Sequence, residues 1–220
     1  MLFHVAWRFL VWALVCGAVS AEVPTTTDPQ EEPDIEWVLL NEEQQALFEA
    51  GDYERAAGVG GLARVHAERH GRPADVATTL NNLGAVYFAQ GRYDDAEGNF
   101  TQALEIHEGL LGPEHPEVAK NLNNLAQVFL LLRRFDDAER LLVRAVAIFE
   151  GALGEVEQTA TSLHTLATLY VASGRYREAE SLLRRAVVIR EQVLGPEHPK
   201  TVVARESLAG VGRALRAEGM

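Results

Sequence analysis

The chain has 220 residues, of which 47% are hydrophobic and 24% are charged, so a chain that is disordered throughout is excluded. Its formal net charge of −12 makes it a poor non-specific binder of nucleic acid, because phosphates would repel it. The single cysteine excludes a disulfide framework within the chain and a cysteine-rich zinc site.

Residues 1–21 have the pattern of an export signal. Arg8 is followed by an apolar run from Phe9 to Val19, and small residues lead to Ala21. This pattern predicts a secretory signal peptide that is cleaved after Ala21, and therefore a secreted or periplasmic protein. The alternative is an uncleaved signal anchor that leaves the protein tethered to a membrane and facing outward. Residues 22–35 are rich in proline and acidic residues, which predicts a flexible linker.

The remaining sequence repeats one unit. The segment GPEHP at residues 112–116 recurs at 195–199, and the related segments GRYDDAE, RRFDDAE and GRYREAE begin at Gly91, Arg133 and Gly174. A period of about 42 residues predicts an α-solenoid, in which each repeat packs only against its neighbours. The expected units are a degenerate first unit over 36–74, three full units over 75–115, 116–156 and 157–198, and a C-terminal capping helix over 199–217.

Each unit is predicted to be two helices joined by a tight turn. Apolar residues recur at helical spacing over 76–90, and Gly91 ends this helix because glycine enters the left-handed conformation without penalty. Arg133 stands at the position of Gly91, and the same conformation there would cost roughly 1 kcal/mol. In the degenerate unit, three glycines are each expected to weaken the second helix by roughly 0.5–1 kcal/mol, namely Gly58, Gly60 and Gly61.

The alternation of large and small residues in these units resembles the tetratricopeptide repeat. The matching positions in the first full unit are Leu80, Leu83, Gly84, Tyr87, Ala96, Phe100 and Ala103, and two further copies follow in register. The repeat length, the Leu-Asn-Asn-Leu segment and the GPEHP segment are similar to those of the kinesin light chain subclass. The resemblance implies an all-α, right-handed solenoid of helix-turn-helix units that binds a partner protein or an extended peptide in its concave groove.

Polar residues on the first helix of each unit form the predicted binding surface. Residues of these helices that are not needed for the predicted packing form one row in each unit. The rows are Thr78, Asn82, Ala85 and Ala89, then Lys120, Asn124, Gln127 and Leu131, then Thr161, Thr165, Thr168 and Ala172. Asn81, Asn123 and His164 lie one position before Asn82, Asn124 and Thr165 and are further candidates. Stacked amides offer both donors and acceptors to a peptide main chain. In the families that this chain resembles, the asparagine equivalent to Asn82 and Asn124 touches bound peptide. The alternative is that these asparagines hydrogen-bond between neighbouring units and set the curvature.

No catalytic or metal site is predicted. His66 and His70 share a helix face, but Ala67 stands where a zinc-protease helix needs glutamate. His115 and His198 lie in equivalent turns, where they are expected to cap helices or to pack. Because no acid, base and nucleophile converge, we expect a non-catalytic protein-interaction scaffold with no cofactor, small-molecule substrate or nucleic-acid partner. A structural, homo-oligomeric assembly component is the alternative.

Overall fold

The computed structural model describes residues 34–70, 72–154 and 156–219. The predicted export signal, Cys16 and residues 22–33 of the predicted linker lie outside these ranges. Within them the chain forms nine α-helices and no β-strand, which confirms the all-α prediction. The helices are α1 (Ile35–Glu49), α2 (Tyr53–Arg69), α3 (Pro73–Ala89), α4 (Tyr93–Leu111), α5 (Pro116–Leu131), α6 (Phe135–Leu153), α7 (Glu157–Ala172), α8 (Tyr176–Val193) and α9 (Pro199–Glu218). None of the helices in the described ranges is long and apolar enough to cross a bilayer.

The helices fall into two compact units that divide after Pro113. In the first unit α1 packs against α2 and α3 against α4, and α3 also contacts α2 and α1. In the second unit α5 pairs with α6 and α7 with α8, α7 also contacts α6 and α5, and α9 packs against α8. Within each unit, every helix pair therefore packs on its neighbours in sequence, as in a solenoid of helix-turn-helix repeats.

Small residues allow paired helices to approach each other closely. A Cβ atom at Gly84 of α3 would lie 2.6 Å from the ring of Phe100 on α4, so a larger residue does not fit there without movement of the ring. Ala96 and Ala103 of α4 are fully buried, and their spacing places them on the same helix face as Phe100. The close helix packing thus depends on the small residues of the repeat pattern.

Trp37 links the first helix of the first unit to the third. Its side chain is buried against Ala63 and Ala67 of α2. Its indole Nε1–H donates a hydrogen bond to Thr79 Oγ1 on α3 at 2.9 Å. Because a buried indole N–H needs a partner, this bond fixes how α1 lies on the following helix pair.

The turns within the helix pairs use the left-handed backbone conformation. Gly51, Gly91 and Gly174 have φ values of 78°, 76° and 77° at the ends of α1, α3 and α7. Arg133 takes the equivalent position after α5 with φ 60°, and it is the only non-glycine residue with positive φ in the described ranges. Arg133 therefore has the left-handed conformation whose cost was considered from the sequence.

An arginine after three of these turns stacks on an aromatic residue of the preceding helix. The guanidinium carbons lie 4.3, 3.9 and 3.9 Å from the ring centroids in the pairs Arg92–Tyr87, Arg134–Phe129 and Arg175–Tyr170. Each of these arginines also pairs with an acid three residues later, in the pairs Arg92–Asp95, Arg134–Asp137 and Arg175–Glu178. A stack of this kind contributes about 0.5–1 kcal/mol at an exposed site. Each arginine therefore contacts both helices that the turn connects, and these contacts stabilise the turn.

Histidine and proline start two of the helices. The Nδ1 atom of His115 accepts the backbone N–H of Glu117 at 3.2 Å, and Pro116 occupies the first position of α5. At the start of α9, His198 Nδ1 accepts the backbone N–H of Lys200 at 3.2 Å in the same way. The predicted capping role of both histidines is confirmed. Proline likewise explains why α3 begins at residue 73 rather than 76, since its fixed φ suits the first turn of a helix.

Candidate functional site

The A helices, which we define as α1 and α3 in the first unit and α5, α7 and α9 in the second, carry the candidate binding residues. One position repeats along them as a polar, uncharged residue, and we call this set the polar row: Asn41 and Asn82 in the first unit, and Asn124, Thr165 and Ser207 in the second. Sequence analysis missed Asn41 and Ser207. The repeat spacing could have identified both residues. Asn41 precedes Asn82 by about one repeat, and Ser207 follows Asn124 by the distance between the two GPEHP segments. The segments around them were too diverged to show it.

In the first unit, the amides of the polar row bond to each other. Asn82 Nδ2 donates to Asn41 Oδ1 at 3.2 Å, and Asn41 Nδ2 donates to the carbonyl oxygen of Trp37 at 2.8 Å. Asn41 is buried, whereas Asn82 is half-buried. This is the hydrogen bond between neighbouring repeats that the alternative interpretation of the asparagines expects. One donor of Asn82 is therefore engaged within the protein.

The other predicted residues of α3 offer less to a ligand. Thr78 Oγ1 donates to the carbonyl oxygen of Ala74 at 3.0 Å. Ala85 is buried, while Asn81 and Ala89 are half-buried. The hydroxyl proton of Thr78 is thus used within its own helix, which leaves only its acceptor capacity.

In the second unit, α5 is buried along residues 121–130, and some of its buried side-chain atoms have no hydrogen-bond partner in the described part of the chain. Asn123, Asn124 and Gln127 have exposed fractions of 5%, 9% and 5%. Asn123 Oδ1 and Gln127 Nε2 have no hydrogen-bond partner among the described residues. The two residues are four apart and therefore share one side of the helix. Such buried, unpaired polar atoms are rare in native proteins and each is unfavourable by about 1–3 kcal/mol.

The two ends of the predicted α5 stripe are less buried than its centre. Lys120 is half-buried and its Nζ lies 2.7 Å from Glu117 Oε1, so the one charge of the predicted rows is paired within its own helix. Leu131 is also half-buried. A partner that binds along this stripe would therefore meet amide groups and not an uncompensated charge.

Threonine hydroxyls of α7 are turned back onto their own helix. Thr165 Oγ1 donates to the carbonyl oxygen of Thr161 at 3.0 Å, and Thr168 Oγ1 donates to that of His164 at 2.9 Å. Thr161 Oγ1 donates to Glu157 Oε1 at 3.0 Å. The hydroxyls of Thr165 and Thr168 can still accept a hydrogen bond, but Thr161 Oγ1 already accepts one from Arg190 Nη2 of α8 at 3.2 Å. The protons of all three hydroxyls are already used. Ala172 is half-buried.

His164 ties three helices of the second unit together. Its Nδ1 accepts a hydrogen bond from Arg190 Nη1 on α8 at 3.0 Å, and its Nε2 donates to Ser207 Oγ on α9 at 3.2 Å. Burial, with a smaller contribution from the positive charge of Arg190, lowers the pKa of His164 to about 3, so the ring is neutral. Both ring nitrogens are therefore engaged inside the unit, although the sequence placed His164 on the predicted binding surface.

Comparisons with known proteins agree with this architecture. Family models described as tetratricopeptide repeat match residues 75–151 and 159–200, which together make up more than half of the chain. No curated protein matches the sequence.

Solved structures share the same fold. The structure of BtubC (BKLC) from P. vanneervenii is 25% identical with a TM-score of 0.73, and the match covers 82% of this chain and 74% of that one. A kinesin-light-chain-like protein with nearly identical TPR-like repeats from Podosopora anserina is 24% identical with a TM-score of 0.70, over 84% of this chain and 90% of that one. The apo form of RapI is 15% identical with a TM-score of 0.72, over 83% and 65%.

Repeats of this type build protein-interaction scaffolds that are generally non-catalytic. The repeat pattern, the helix-turn-helix pairs and the two family-model matches lead to one conclusion. The chain belongs to the tetratricopeptide repeat family.

Proposed function

We propose that this scaffold binds an extended peptide segment of a partner protein along its A helices and acts by positioning that partner. The observation that carries the proposal is the unpaired acceptor Asn123 Oδ1 and the unpaired donor Gln127 Nε2 on one side of α5. Asn124 of the polar row lies between them in sequence. A partner that is supplied from outside would satisfy both atoms.

A peptide main chain has the chemistry to satisfy these two atoms. Residues four apart on a helix lie about 5–6 Å from each other, and an extended strand presents N–H and C=O groups in alternation at comparable spacing. Both atoms are buried, so neighbouring side chains must move before an N–H of the peptide reaches Asn123 Oδ1 and a C=O reaches Gln127 Nε2. Each bond contributes about 0.5–1.5 kcal/mol, so several A helices must act together to hold a peptide.

Near-isosteric substitutions separate a binding role from a structural one. A partner is first captured on the immobilised protein from an extract of the exporting compartment and identified by mass spectrometry, and its affinity is then measured by calorimetry. The double variant Asn123→Leu with Gln127→Met should weaken binding roughly 10–100-fold, because two hydrogen bonds are lost. Its melting temperature should stay level or rise, because two unpaired buried polar atoms are removed.

The matched control is Ser173→Ala, which removes a hydroxyl that lies outside the predicted rows and is bonded to the carbonyl oxygen of Leu169 in α7. This variant should bind the partner as the wild type does. Unchanged affinity in the Asn123–Gln127 double variant would contradict the proposal. A large fall in its melting temperature would instead assign both residues to the structure.

The polar row provides a second, independent test. The double variant Asn82→Ala with Asn124→Ala should abolish partner binding while the melting temperature falls only slightly. The expected fall corresponds to about 1 kcal/mol, since Asn82 loses its bond to Asn41. If affinity is retained, or is lost only through unfolding, these asparagines hold the repeats together and do not bind peptide.

Self-assembly is a second candidate function, favoured by apolar side chains exposed on the first helix pair. Four large hydrophobic residues there have exposed fractions between 44% and 71%, namely Ile35, Leu39, Leu62 and Val65. If these residues mediate association, Leu39→Lys with Leu62→Lys should convert an oligomer into a monomer in light scattering. A monomeric wild type at all concentrations would dismiss this candidate.

Export is a further part of the proposed function and is supported by the sequence of residues 1–21. The scaffold would then meet its partner outside the cytoplasm. Mass spectrometry of the protein from its host should show a mature chain that begins at Glu22. A chain that begins at Met1 and sediments with membranes would support the tethered adaptor instead.

A further inference from the structure

One cluster of side chains lies apart from the polar row and has no part in peptide binding. It forms where α1 begins and α2 ends, since the two helices are joined by a tight turn and pack side by side. Asp34 precedes α1, while His66 and His70 lie at the end of α2. One ligand atom from each of the three side chains lies within 4.8 Å of the other two.

We propose that Asp34, His66 and His70 form a binding site for Zn²⁺, with solvent as the remaining ligand. Two imidazoles and one carboxylate are a donor set that suits Zn²⁺, and three protein ligands leave one position of a tetrahedron open. The side chains of His66 and Asp34 are mostly buried at 13% and 16% exposure, whereas His70 is 53% exposed. The site is therefore built into the helix pair on one side and open to water on the other.

The distances are compatible with a metal after small side-chain movements. Asp34 Oδ2 lies 2.7 Å from His66 Nε2 and 3.9 Å from His70 Nδ1. With bonds of about 2.1 Å, the ligands of a tetrahedral zinc ion are about 3.4 Å apart. One distance must widen and the other must shorten by roughly 0.5–0.7 Å on this geometry. His70 must also release the hydrogen bond that its Nδ1 makes to the carbonyl oxygen of His66, and its exposed ring is free to turn.

Both carboxylates near His66 favour binding of a cation. Partial burial raises the pKa of Asp34, but the backbone N–H of Trp37 and the neighbouring His66 outweigh it and hold the pKa below its usual value, so this ligand is ionised. Glu36 Oε1 lies 3.7 Å from His66 Nδ1, the ring nitrogen opposite the one that would bind the metal. This separation is too long for a hydrogen bond, so Glu36 contributes only a nearby negative charge that favours a cation.

A metal ion at this site would link the start of α1 to the end of α2. These two helices form the degenerate first unit. Binding energy at a site formed only in the folded state adds directly to stability. The proposal does not depend on peptide binding. The sequence predicted no metal site because Ala67 replaces the glutamate of a zinc-protease helix, but nothing in the arrangement of Asp34, His66 and His70 requires that glutamate.

Calorimetric titration of the chelator-treated full chain with Zn²⁺ tests the site, with Co²⁺ as a spectroscopic probe. We expect one equivalent of Zn²⁺ per chain, a rise in melting temperature with Zn²⁺, and the intense visible absorption of tetrahedral Co²⁺. His70→Ala and Asp34→Asn should each weaken Zn²⁺ binding at least 10-fold. Asparagine is as good an N-cap as aspartate, so Asp34→Asn removes the ligand charge and keeps the start of α1.

The matched control is Glu68→Gln, which removes a carboxylate between the two histidines that belongs to a pair with Arg64 instead. It should leave the Zn²⁺ affinity within about twofold of the wild type. Glu36→Gln should weaken Zn²⁺ binding less than His70→Ala does, because it removes only a nearby negative charge. Absence of a one-equivalent transition, retention of binding in His70→Ala, or equal weakening in Glu68→Gln and His70→Ala would each overturn the proposal.

Discussion

Gly60 has two opposite effects on the stability of α2. Glycine weakens a helix, but the absence of a side chain at this position leaves space for the neighbouring helices. A Cβ atom there would lie 2.5 Å from Gln44 Nε2 of α1 and 2.7 Å from Leu83 Cδ2 of α3. At Gly58 and Gly61 the same atom would meet nothing within 4 Å. Sequence analysis treated the three glycines alike as helix-weakening residues. At Gly60 packing opposes that effect, because the absence of a side chain gives α1 and α3 the room to pack on α2.

The two kinds of glycine predict opposite changes in stability. Gly58→Ala should raise the free energy of unfolding by about 0.5–1 kcal/mol, because alanine restricts the unfolded chain and fills empty space. Gly60→Ala should lower it by about 1–3 kcal/mol, because the new methyl group overpacks the contact of three helices. Urea denaturation followed by circular dichroism measures both. Equal shifts in the two variants would show that helix propensity, and not packing, governs this helix.

At the scale of elements, the turn between α5 and α6 carries a local strain that the equivalent turn between α7 and α8 avoids. Arg133→Gly should raise the free energy of unfolding by up to about 1 kcal/mol, because the left-handed conformation no longer places a Cβ against the following carbonyl. The reciprocal change, Gly174→Arg, should lower it by a similar amount. Thermal denaturation of both variants measures the effect. A loss of stability in Arg133→Gly would mean that the stack of Arg133 on Phe135 outweighs the strain.

Some features of the helices and turns depend only on residues that are close together in the sequence. The left-handed turn at Arg133 and the caps at His115 and His198 depend on residues a few positions apart, and they could be predicted. The bond between Asn82 and Asn41 and the contacts of Gly60 depend on which helices meet across a repeat, and spacing alone does not specify side-chain contacts of that kind.

The candidate site was predicted only in part for the same reason. The polar character of the A helices follows from the repeat register, and this identified Asn82, Asn124 and Thr165. Which of their hydrogen-bonding atoms are already used is a property of three dimensions. Thus the unpaired atoms of Asn123 and Gln127 and the engaged ring of His164 could not be distinguished by sequence.

At the scale of the whole molecule, His164 makes stability depend on pH in the mildly acidic range. In the unfolded chain this histidine takes up a proton as the pH falls below about 6.5. In the folded protein its pKa is lowered to about 3, so it stays neutral. Between these two values the unfolded state binds more protons, and the stability present above pH 6.5 is lost as the pH falls toward 3.

Replacement of this residue tests the effect. The wild type should lose roughly 1 kcal/mol of unfolding free energy for each pH unit between about 6 and 4 through this group. His164→Gln should be less stable at pH 7, because the bridge between α7, α8 and α9 is altered, but its stability should decline less steeply. Urea denaturation of both proteins over this pH range measures the slopes. Parallel slopes would show that other groups control the acid response.

Trp37 gives the first unit an optical signal of its own. Trp7 and Trp12 lie in the predicted signal peptide, so a chain that begins at Glu22 contains a single indole. Its fluorescence emission reports whether α1 is packed on α3, where the indole bonds to Thr79. Ellipticity in the far ultraviolet measures the helix content of both units. Coincident urea curves from the two signals would mean that both units unfold in one cooperative step. Separated curves would allow the unfolding of the first unit to be followed inside the intact chain, without dissecting it.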